Sequence, residues 1–395
     1  MGAANERVVY MDNNATTKVA PEVFEAMKPY FTELYGNPSS MHTFGGAVSE
    51  SIKKARRQVA NLLGTEPEEI TFTSCGTESD STAILSALRT YPDKRHIITT
   101  RVEHPAVKSL CENLEMVTGN KYRVTRLKVD SEGLLDLEEY RAALSEDTAI
   151  VSVMWANNET GVVYPVEEMA RMAKKRDILF HTDAVQAVGK VPINLGELDI
   201  DFLSLSGHKL HAPKGVGVLY TRKGTFFVPF LTGGHQEHGR RGGTENVSSI
   251  IGLGRACELA AEKMEEENVR VKALRDKLEQ GLLKSIPSSM RNGHETNRLP
   301  NTANISFEFV EGEAILLHMN RYNICASSGS ACTSGSLEPS HVLRAMGVPF
   351  TAAHGSIRFS LSVYNTEEEV DFVLEKMPAI IASLREMSPF WEKKG

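Results

Sequence analysis

Short apolar runs rich in β-branched residues alternate with segments of helical periodicity from about residue 66 onward. The strand-like runs EITFTS, HIITT, YRVTRLKV and AIVSVMWA are each followed by a helical segment, and ILFHTDAV, DFLSLSG and VGVLYTR come next. Strands that alternate with helices are typical of a largely parallel sheet with helices on both faces. The pattern therefore predicts an α/β fold, in which polar site residues gather at the carboxyl edge of the sheet. An earlier segment, PEVFEAMKPYFTEL, predicts a helix that begins at Pro21.

The character of the chain changes after Gly254. A long charged amphipathic stretch comes first and is typical of a domain connector. Two strand-like runs, NTANISFEF and GSIRFSL, and a final helical segment follow. We predict a large α/β domain over residues 15–260 and a smaller α+β domain formed by residues 1–14 and 261–395.

Composition narrows the class of function. The chain has 395 residues and a net charge of −7, so it carries no general positive field for nucleic acid or anionic membranes. The first residues lack the apolar core of a signal peptide, and no run approaches the length of a membrane span. We therefore expect a cytoplasmic protein that acts on small molecules, without a nucleic-acid or membrane partner.

The cysteines and histidines do not form a metal-binding pattern. The five cysteines come at irregular spacings without a CxxC pair: Cys75, Cys111, Cys257, Cys325 and Cys332. Such spacing predicts neither a disulfide framework nor a structural zinc site. His235 and His238 lie in a glycine-rich loop without a third ligand nearby. We predict no intrinsic metal.

Lys209 is the first candidate for chemistry. It lies in SGHKLHAPKGVG, directly after the strand-like run DFLSL and among small residues. A lysine that is buried near other cations loses proton affinity and can form a Schiff base with a carbonyl cofactor such as pyridoxal 5′-phosphate (PLP). The alternative is an ordinary surface lysine, the more frequent role of this residue type. Lys214, in the turn signal PKG, is more typical of a solvated loop.

Polar residues at the ends of other predicted strands strengthen the case for a cofactor site. Asp183 ends ILFHTDAV, where a carboxylate could keep a pyridine nitrogen protonated, although a helix N-cap is the simpler role. Gln186, Asn158 and His104 also follow predicted strands, where α/β proteins gather their site residues.

The segment from Cys75 to Ser79 joins the strand EITFTS to a helix. Backbone N–H groups and hydroxyls at such a junction can hold a phosphate, and an ordinary helix cap is the equal alternative. Arg358 alternates with apolar residues in GSIRFSL. It could grip a carboxylate with two parallel hydrogen bonds from the cleft side, or form an outward salt bridge.

Cys332 differs from the other cysteines in its surroundings. It lies within ASSGSACTSGS at 326–336, whose small residues are typical of a mobile loop. An accessible thiol is expected there, whereas Cys111 and Cys257 lie in helical settings and are expected to be buried. Cys325 follows Tyr-Asn-Ile and is expected inside a strand.

These residues belong to a recognisable set of motifs. In chain order the set is DNNATT at 12–17, GNPSS at 36–40, TSCGTES at 73–79, EHPAV at 103–107, ANNETG at 156–161, HTDAVQ at 181–186, SGHKLHAPKGVG at 206–217, RRGGTEN at 240–246 and SGSACTSGSLEPSHVLRAMG at 328–347. In these motifs the chain resembles the NifS-type cysteine desulfurases, PLP enzymes of aminotransferase class V with the type I fold of PLP-dependent transferases. The resemblance runs from about residue 8 to the C-terminus.

The resemblance implies a homodimer that converts L-cysteine to L-alanine. The sulfur would remain as a persulfide on Cys332 and pass to an iron–sulfur scaffold protein, with nitrogenase maturation one such pathway. Cys332 is also a candidate for transient ligation of a nascent iron–sulfur cluster. Catalysis would depend on Lys209, Cys332 and His104. The implied cofactor ligands are Gly76, Thr77, His104, Asn158, Asp183, Gln186, Ser206, His208 and Lys209, with Thr244 from the other subunit, and Arg358 and Asn158 would bind the substrate.

Two departures and two alternatives accompany the resemblance. His238 stands where many relatives carry arginine, and Cys75 is a second thiol expected beside the cofactor. A selenocysteine lyase-like class V enzyme would use the same cofactor apparatus without a persulfide, and the ACTSGS loop argues against it. A non-catalytic sulfur-relay scaffold is the other alternative, and the presence of Lys209 argues against that.

Overall fold

The computed structural model describes residues 8–117, 119, 121–328, 338–389 and 391. The strands in this part of the chain are β1 (Val9–Tyr10), β2 (Ile70–Thr73), β3 (His96–Thr100), β4 (Arg123–Leu127), β5 (Thr148–Ser152), β6 (Leu179–Asp183), β7 (Phe202–Ser206), β8 (Gly217–Thr221), β9 (Ser289–Arg291), β10 (Thr302–Phe307), β11 (Ile324–Cys325), β12 (Ser327–Ser328) and β13 (Ser356–Ser360). The helices are α1 (Pro21–Met27), α2 (Pro29–Thr32), α3 (Thr43–Leu63), α4 (Gly76–Thr90), α5 (Pro105–Val117), α6 (Leu137–Ala143), α7 (Val166–Lys174), α8 (Val247–Ser285), α9 (Gly312–Asn320), α10 (His341–Ala345), α11 (Phe350–His354) and α12 (Glu367–Met387).

The predicted parallel sheet is present. Seven strands pair in the order β2-β8-β7-β6-β5-β3-β4. The five strands from β7 to β4 are mutually parallel, whereas β8 runs antiparallel to both of its neighbours. Strands β3, β5, β7 and β8 are buried along their whole length, because helices cover both faces of the sheet. This confirms the α/β, mostly parallel fold expected from the sequence.

A second, smaller sheet holds the later part of the chain. Its antiparallel order is β12-β13-β10-β9, and the short strand β1 pairs in parallel with β11 nearby. Val9 and Met11 pack in the same apolar core as Phe307 and Phe359. Residues 9–11 therefore lie against the smaller sheet. The boundary expected at residue 260 falls inside α8, and the division into two domains stays a prediction.

Two helices differ from the sequence prediction. The single helix expected over 21–34 is divided into α1 and α2, because Pro29 has no N–H to continue the ladder of α1. The 21-residue helix α3 was not predicted. It ends at Gly64, which takes the left-handed conformation with φ of 62°. Among the described residues, no helix has the length and apolar character required to cross a bilayer.

Candidate active site

A cavity of about 410 Å³ lies where several strands of the large sheet end. Asp183 and Ser206 are the last residues of β6 and β7, and both line it. Most of the site residues predicted from the sequence also line it: Gly76, Thr77, His104, Asn158, Asp183, Gln186, Ser206, His208, Lys209 and Arg358. The structure thus brings together residues that are far apart in the sequence, since Gly76 and Arg358 are separated by 282 positions.

Lys209 is held by two backbone carbonyls. Its Nζ donates to the carbonyl oxygens of Asn14 and Ala15, at 2.5 and 2.7 Å. Asn14 is itself fixed, since its side chain donates to Thr302 Oγ1 at 2.9 Å. Burial lowers the pKa of Lys209 to about 8, and the positive charge of Arg358 acts in the same direction. The amine is therefore easier to deprotonate than an ordinary lysine, whereas Lys214 is exposed as expected.

Asp183 and Asp80 form a pair of buried carboxyl groups. Burial, together with the nearby carboxyl group of Asp80, raises the pKa of Asp183 to about 7. Its Oδ1 accepts a hydrogen bond from the backbone N–H of Val185 at 2.9 Å. The residues directly after Asp183 form turns and not an α-helix, so the alternative of a helix N-cap is wrong. A cation placed against Asp183 would favour its ionised form.

Asp80 and His181 lie next to Asp183 and were not predicted. Asp80 is 1% exposed, lines the cavity and has a pKa raised by burial to about 7. His181 Nε2 lies 3.5 Å from Asp80 Oδ1 and 3.0 Å from Ser204 Oγ. Burial lowers the pKa of His181 to about 4, so this ring is neutral at physiological pH. The part of the chain that the structure describes offers no hydrogen-bond partner to Asp80 Oδ1.

The start of α4 also lines the cavity, through Cys75, Gly76 and Thr77. Cys75 precedes the helix and Gly76 is its first residue, so the free N–H groups of the first turn point away from the helix body. A Cβ at Gly76 would lie 2.8 Å from Val185 Cγ2, which explains the glycine by close approach of the two segments. Ser206 and His208 line the same cavity. Burial, together with the positive charge of Lys209, lowers the pKa of His208 to about 4.

His104 borders the cavity at the start of α5. Its Nδ1 accepts a hydrogen bond from the backbone N–H of Ala106 at 3.2 Å, which leaves the proton of the neutral ring on Nε2. Desolvation lowers the pKa of His104, and Asp183 opposes that effect. His104 therefore presents a neutral ring to the cavity, with one nitrogen available for hydrogen bonding or proton exchange.

Gln186 and Arg358 each keep an unused polar atom beside the cavity. Gln186 is buried and donates from Nε2 to the carbonyl oxygen of Asn14 at 3.0 Å. Arg358 donates from Nη1 to the carbonyl oxygen of Asn158 at 2.9 Å and forms an ion pair with Asp12. Gln186 Oε1 and Arg358 Nε are buried without a hydrogen-bond partner within the described ranges. Arg358 thus lines the cavity, and its ion pair with Asp12 is largely buried rather than the outward salt bridge of the second alternative.

The comparison with known proteins agrees with this geometry. The model of the aminotransferase class-V family matches residues 9–373. Cysteine desulfurase NifS of Azotobacter vinelandii is 63% identical over 388 residues, which cover 98% of this chain and 96% of that protein. The chain belongs to the cysteine desulfurase family. A solved NifS-like protein superposes with a TM-score of 0.90 at 42% identity, covering 96% of this chain and all of that one (100%). SspA, solved in complex with cysteine, gives 0.79 at 36% identity, with coverage of 90% and 99%.

The cofactor implied by the family is PLP, and the residues of this desulfurase fit it. A pyridine nitrogen needs a buried carboxylate, and Asp183 supplies one. A phosphate needs N–H donors, and the start of α4 supplies them where a Cβ at Gly76 would not fit. An aldehyde needs an amine of lowered proton affinity, which is the property of Lys209. The unpaired Gln186 Oε1 is a further polar atom available to a bound group.

One predicted residue within the described ranges does not line this cavity. Thr244 is exposed and lines a separate pocket with Tyr35 and Asn37. Cys332 lies outside the described residues. Cys75 does line the cavity, as expected.

The remaining cysteines follow the sequence prediction. Cys111 and Cys257 are fully buried, and burial raises the pKa of both thiols, to about 12 for Cys111. Cys325 ends β11, and burial raises its pKa, with Asp12 adding to the effect. A thiol with a raised pKa is a poor nucleophile at neutral pH. Within the described ranges, no group of three or more His, Cys, Asp and Glu side chains is placed to hold a metal ion.

Proposed function

We propose that this protein takes the sulfur from L-cysteine, releases L-alanine and leaves a persulfide on Cys332, from which sulfur passes to iron–sulfur cluster assembly. The observation that carries the proposal is the cavity in which Lys209, Asp183, His104 and Arg358 meet. Membership of the cysteine desulfurase family supports the same reaction. SspA, a related protein solved with cysteine, supports the substrate.

The residues that would hold PLP are Lys209 for the aldehyde carbon, Asp183 for the pyridine nitrogen and the start of α4 for the phosphate. Gln186 and Asn158 would contact the ring substituents, and Ser206 and His208 would complete the phosphate site. Bound PLP would supply an electron sink for the carbanion at the substrate Cα. The described cavity holds every one of these side chains, which supports the assignment.

Arg358 would orient the substrate through its carboxylate. Arg358 lies on β13 and lines the same cavity as Asp183, and its buried Nε has no hydrogen-bond partner among the described residues. Two parallel hydrogen bonds from one guanidinium fix the direction of a carboxylate as well as its position.

Lys209 and His104 are the groups that would move protons. Lys209, with its lowered pKa, can remove the Cα proton of the substrate once its amine is free. His104 lines the same cavity, and its Nε2, the ring nitrogen that Ala106 does not contact, could exchange a proton with the thiol or with Cβ. The thiolate of Cys332 would attack the substrate sulfur, so that the S–S bond forms as the Cβ–S bond breaks. The electron pair of that bond stays on the substrate carbon, which becomes alanine after protonation.

A homodimer is part of the proposal. Four aromatic or apolar side chains within residues 31–44 are exposed: Phe31, Tyr35, Met41 and Phe44. The rings of Tyr35 and Phe44 lie 5.2 Å apart. Thr244 borders this exposed surface, since it lines one pocket with Tyr35. Exposed apolar patches of this kind mark protein interfaces, and a second copy would bring its Thr244 to a site other than its own.

The test is to follow alanine and sulfide released from L-cysteine, with thiol labelling and mass spectrometry before and after substrate. We expect the wild type to carry one extra sulfur on Cys332. Cys332→Ser should keep the absorbance of the bound cofactor, because this residue is not part of the cofactor site, and should lose the persulfide. The matched control is Cys75→Ser, which removes a cavity thiol and should still form the persulfide. A Cys332→Ser protein that still forms it would assign the role to Cys75 or Cys325 and contradict the proposal.

A further inference from the structure

Asp12 forms a buried bridge between two segments of the smaller sheet. Its Oδ1 accepts from Arg358 Nη2 at 2.9 Å and from Ser327 Oγ at 2.8 Å. Both side chains of the ion pair are largely buried, with 10% exposure for Arg358 and 18% for Asp12. Ser327 and Arg358 are also backbone partners in the pairing of β12 with β13. The carboxylate therefore lies against the guanidinium in a fixed position.

The position of Asp12 follows from the turn that it begins. Its carbonyl oxygen accepts from the N–H of Ala15 at 3.0 Å, and Asp12 bridges to Ser360 of β13. The same turn presents the carbonyl oxygens of Asn14 and Ala15 to Lys209. One short segment thus contacts both cations of the cavity, the lysine through carbonyl oxygens and the arginine through a carboxylate.

The donors of Arg358 are only partly used. Nη1 donates to the carbonyl oxygen of Asn158 and Nη2 to Asp12, whereas Nε is buried without a partner in the described part of the chain. A substrate carboxylate bound in the bidentate manner needs two neighbouring N–H groups. Nε is one of them, and the neighbouring Nη2 is the donor that Asp12 occupies.

We propose that Asp12 is a specificity-determining residue that competes with the substrate carboxylate for Arg358 and so sets how tightly carboxylate ligands bind. The inference rests on the proposed role of Arg358 as the carboxylate site. Asp12 cancels most of the guanidinium charge before a ligand arrives, and its own charge repels an incoming carboxylate. The cavity therefore accepts a carboxylate with limited affinity, which suits a site that must release the carboxylate product alanine.

The charge of the ligand separates this role from a structural one. A residue that only supports the fold would change the binding of charged and neutral ligands alike. A competing carboxylate would change the binding of charged ligands and leave neutral ones unaffected. Asp12→Asn is nearly isosteric, and its amide oxygen can still accept from Ser327, so the substitution removes the charge and little else.

The experiment measures dissociation constants of two small ligands by calorimetry on the holoenzyme. The ligands are 3-mercaptopropionate, which carries the carboxylate and thiol of the substrate, and its neutral amide. Asp12→Asn should lower the dissociation constant of 3-mercaptopropionate by roughly tenfold, because a like charge a few ångströms away is removed. The dissociation constant of the amide should stay within about twofold, as expected where charge alone is altered.

A second variant, Arg358→Gln, tests whether Arg358 is the carboxylate site. Arg358→Gln should remove the preference for the carboxylate ligand over the amide. If Arg358→Gln keeps that preference, the carboxylate site lies elsewhere and the proposed function of Arg358 fails together with the role of Asp12. If Arg358→Gln loses the preference and Asp12→Asn behaves like the wild type, or weakens both ligands, only the role of Asp12 is overturned.

Ser327→Ala tests the same idea without changing a charged residue. It removes one of the two hydrogen bonds to Asp12 Oδ1, which should strengthen the pair with Arg358. We expect the dissociation constant of 3-mercaptopropionate to rise about twofold, the scale of one neutral hydrogen bond near a charged pair. A lower dissociation constant in Ser327→Ala would contradict the competition, even where Asp12→Asn fails to fold.

Discussion

The two sides of the cavity hold their charges in different ways. On the side of the large sheet, Asp183 and Asp80 are two buried carboxyl groups that form no ion pair with a lysine or arginine in the described part of the chain, and burial raises the pKa of both. On the side of the smaller sheet, Arg358 is already paired with Asp12 at 2.9 Å. The first side is incomplete without a cationic group, whereas the second is electrically balanced before any ligand binds.

This difference matches the different needs of a cofactor that stays bound and a substrate that enters and leaves. A cofactor that stays bound can use uncompensated charge, because its pyridinium satisfies a carboxylate that is otherwise costly to ionise. A substrate that must enter and leave binds less tightly to a cation that is already paired with a carboxylate, and so it is released more easily. The comparison predicts that substitutions on the large-sheet side affect cofactor binding most, and that substitutions on the other side affect ligand discrimination.

Lys209→Ala should have the largest effect. It removes both the amine that would hold the cofactor and the base that would move the Cα proton, so activity should fall by at least about 10³-fold. The absorbance of lysine-bound cofactor should disappear as well. Lys214→Ala, five residues later in an exposed loop, is the matched control and should change neither quantity. Retention of the lysine-bound absorbance in Lys209→Ala would place the covalent link on another lysine.

Asp183→Asn should have the next largest effect. The amide cannot hold a proton on the pyridine nitrogen, so activity should fall by about 10²-fold, the scale for loss of one preorganised electrostatic partner. The dissociation constant of the cofactor should rise in the same variant. Asp201→Asn is the control, since Asp201 is a buried carboxylate that directly precedes β7, at the opposite end of that strand from Ser206, and accepts from the N–H of Phe180. It should lower stability without changing cofactor binding, and equal loss of cofactor in both variants would contradict a specific role for Asp183.

The sequence predicted most of the large-sheet side, for a physical reason. Asp183, Gln186 and Lys209 each follow a strand of a parallel sheet, and parallel strands bring such positions to one edge. The chemistry of each residue type then indicates what the edge can bind. The α/β class follows from the same alternation, which is set by which residues must be buried.

The features that sequence reasoning missed depend on contacts between distant segments. Asp80 lies inside a helix whose acidic and hydroxyl residues are typical of an exposed face, and only the packing of α4 on the sheet buries it beside His181. Asp12 belongs to a quoted motif, but its pairing with Arg358 requires a fold that joins positions 346 residues apart. No local pattern carries that information. Helix α3 was also missed, although the spacing of its apolar residues and the glycine that follows it, Gly64, were visible in the sequence.

Asp80→Asn should have the smallest effect on activity, and its effect on stability should depend on pH. The pKa of Asp80 is raised from an ordinary value of 3.8 to about 7 by burial, so the folded protein binds this proton more tightly than the unfolded chain. The resulting stabilisation is present below pH 4 and is lost as the pH rises toward 7. Asparagine cannot ionise, so the variant lacks this dependence.

Relative to Asp80→Asn, the wild type should therefore lose roughly a few kcal/mol of unfolding free energy between pH 4 and pH 7, since one pKa unit corresponds to about 1.4 kcal/mol. Denaturant unfolding of the cofactor-free protein at several pH values measures this difference directly. Asp93→Asn, at an exposed position, serves as the control and should show no such trend. If the difference between the wild type and Asp80→Asn is the same at every pH, Asp80 is not the buried group that takes up the proton, and the uncompensated charge on this side of the cavity belongs to Asp183 alone.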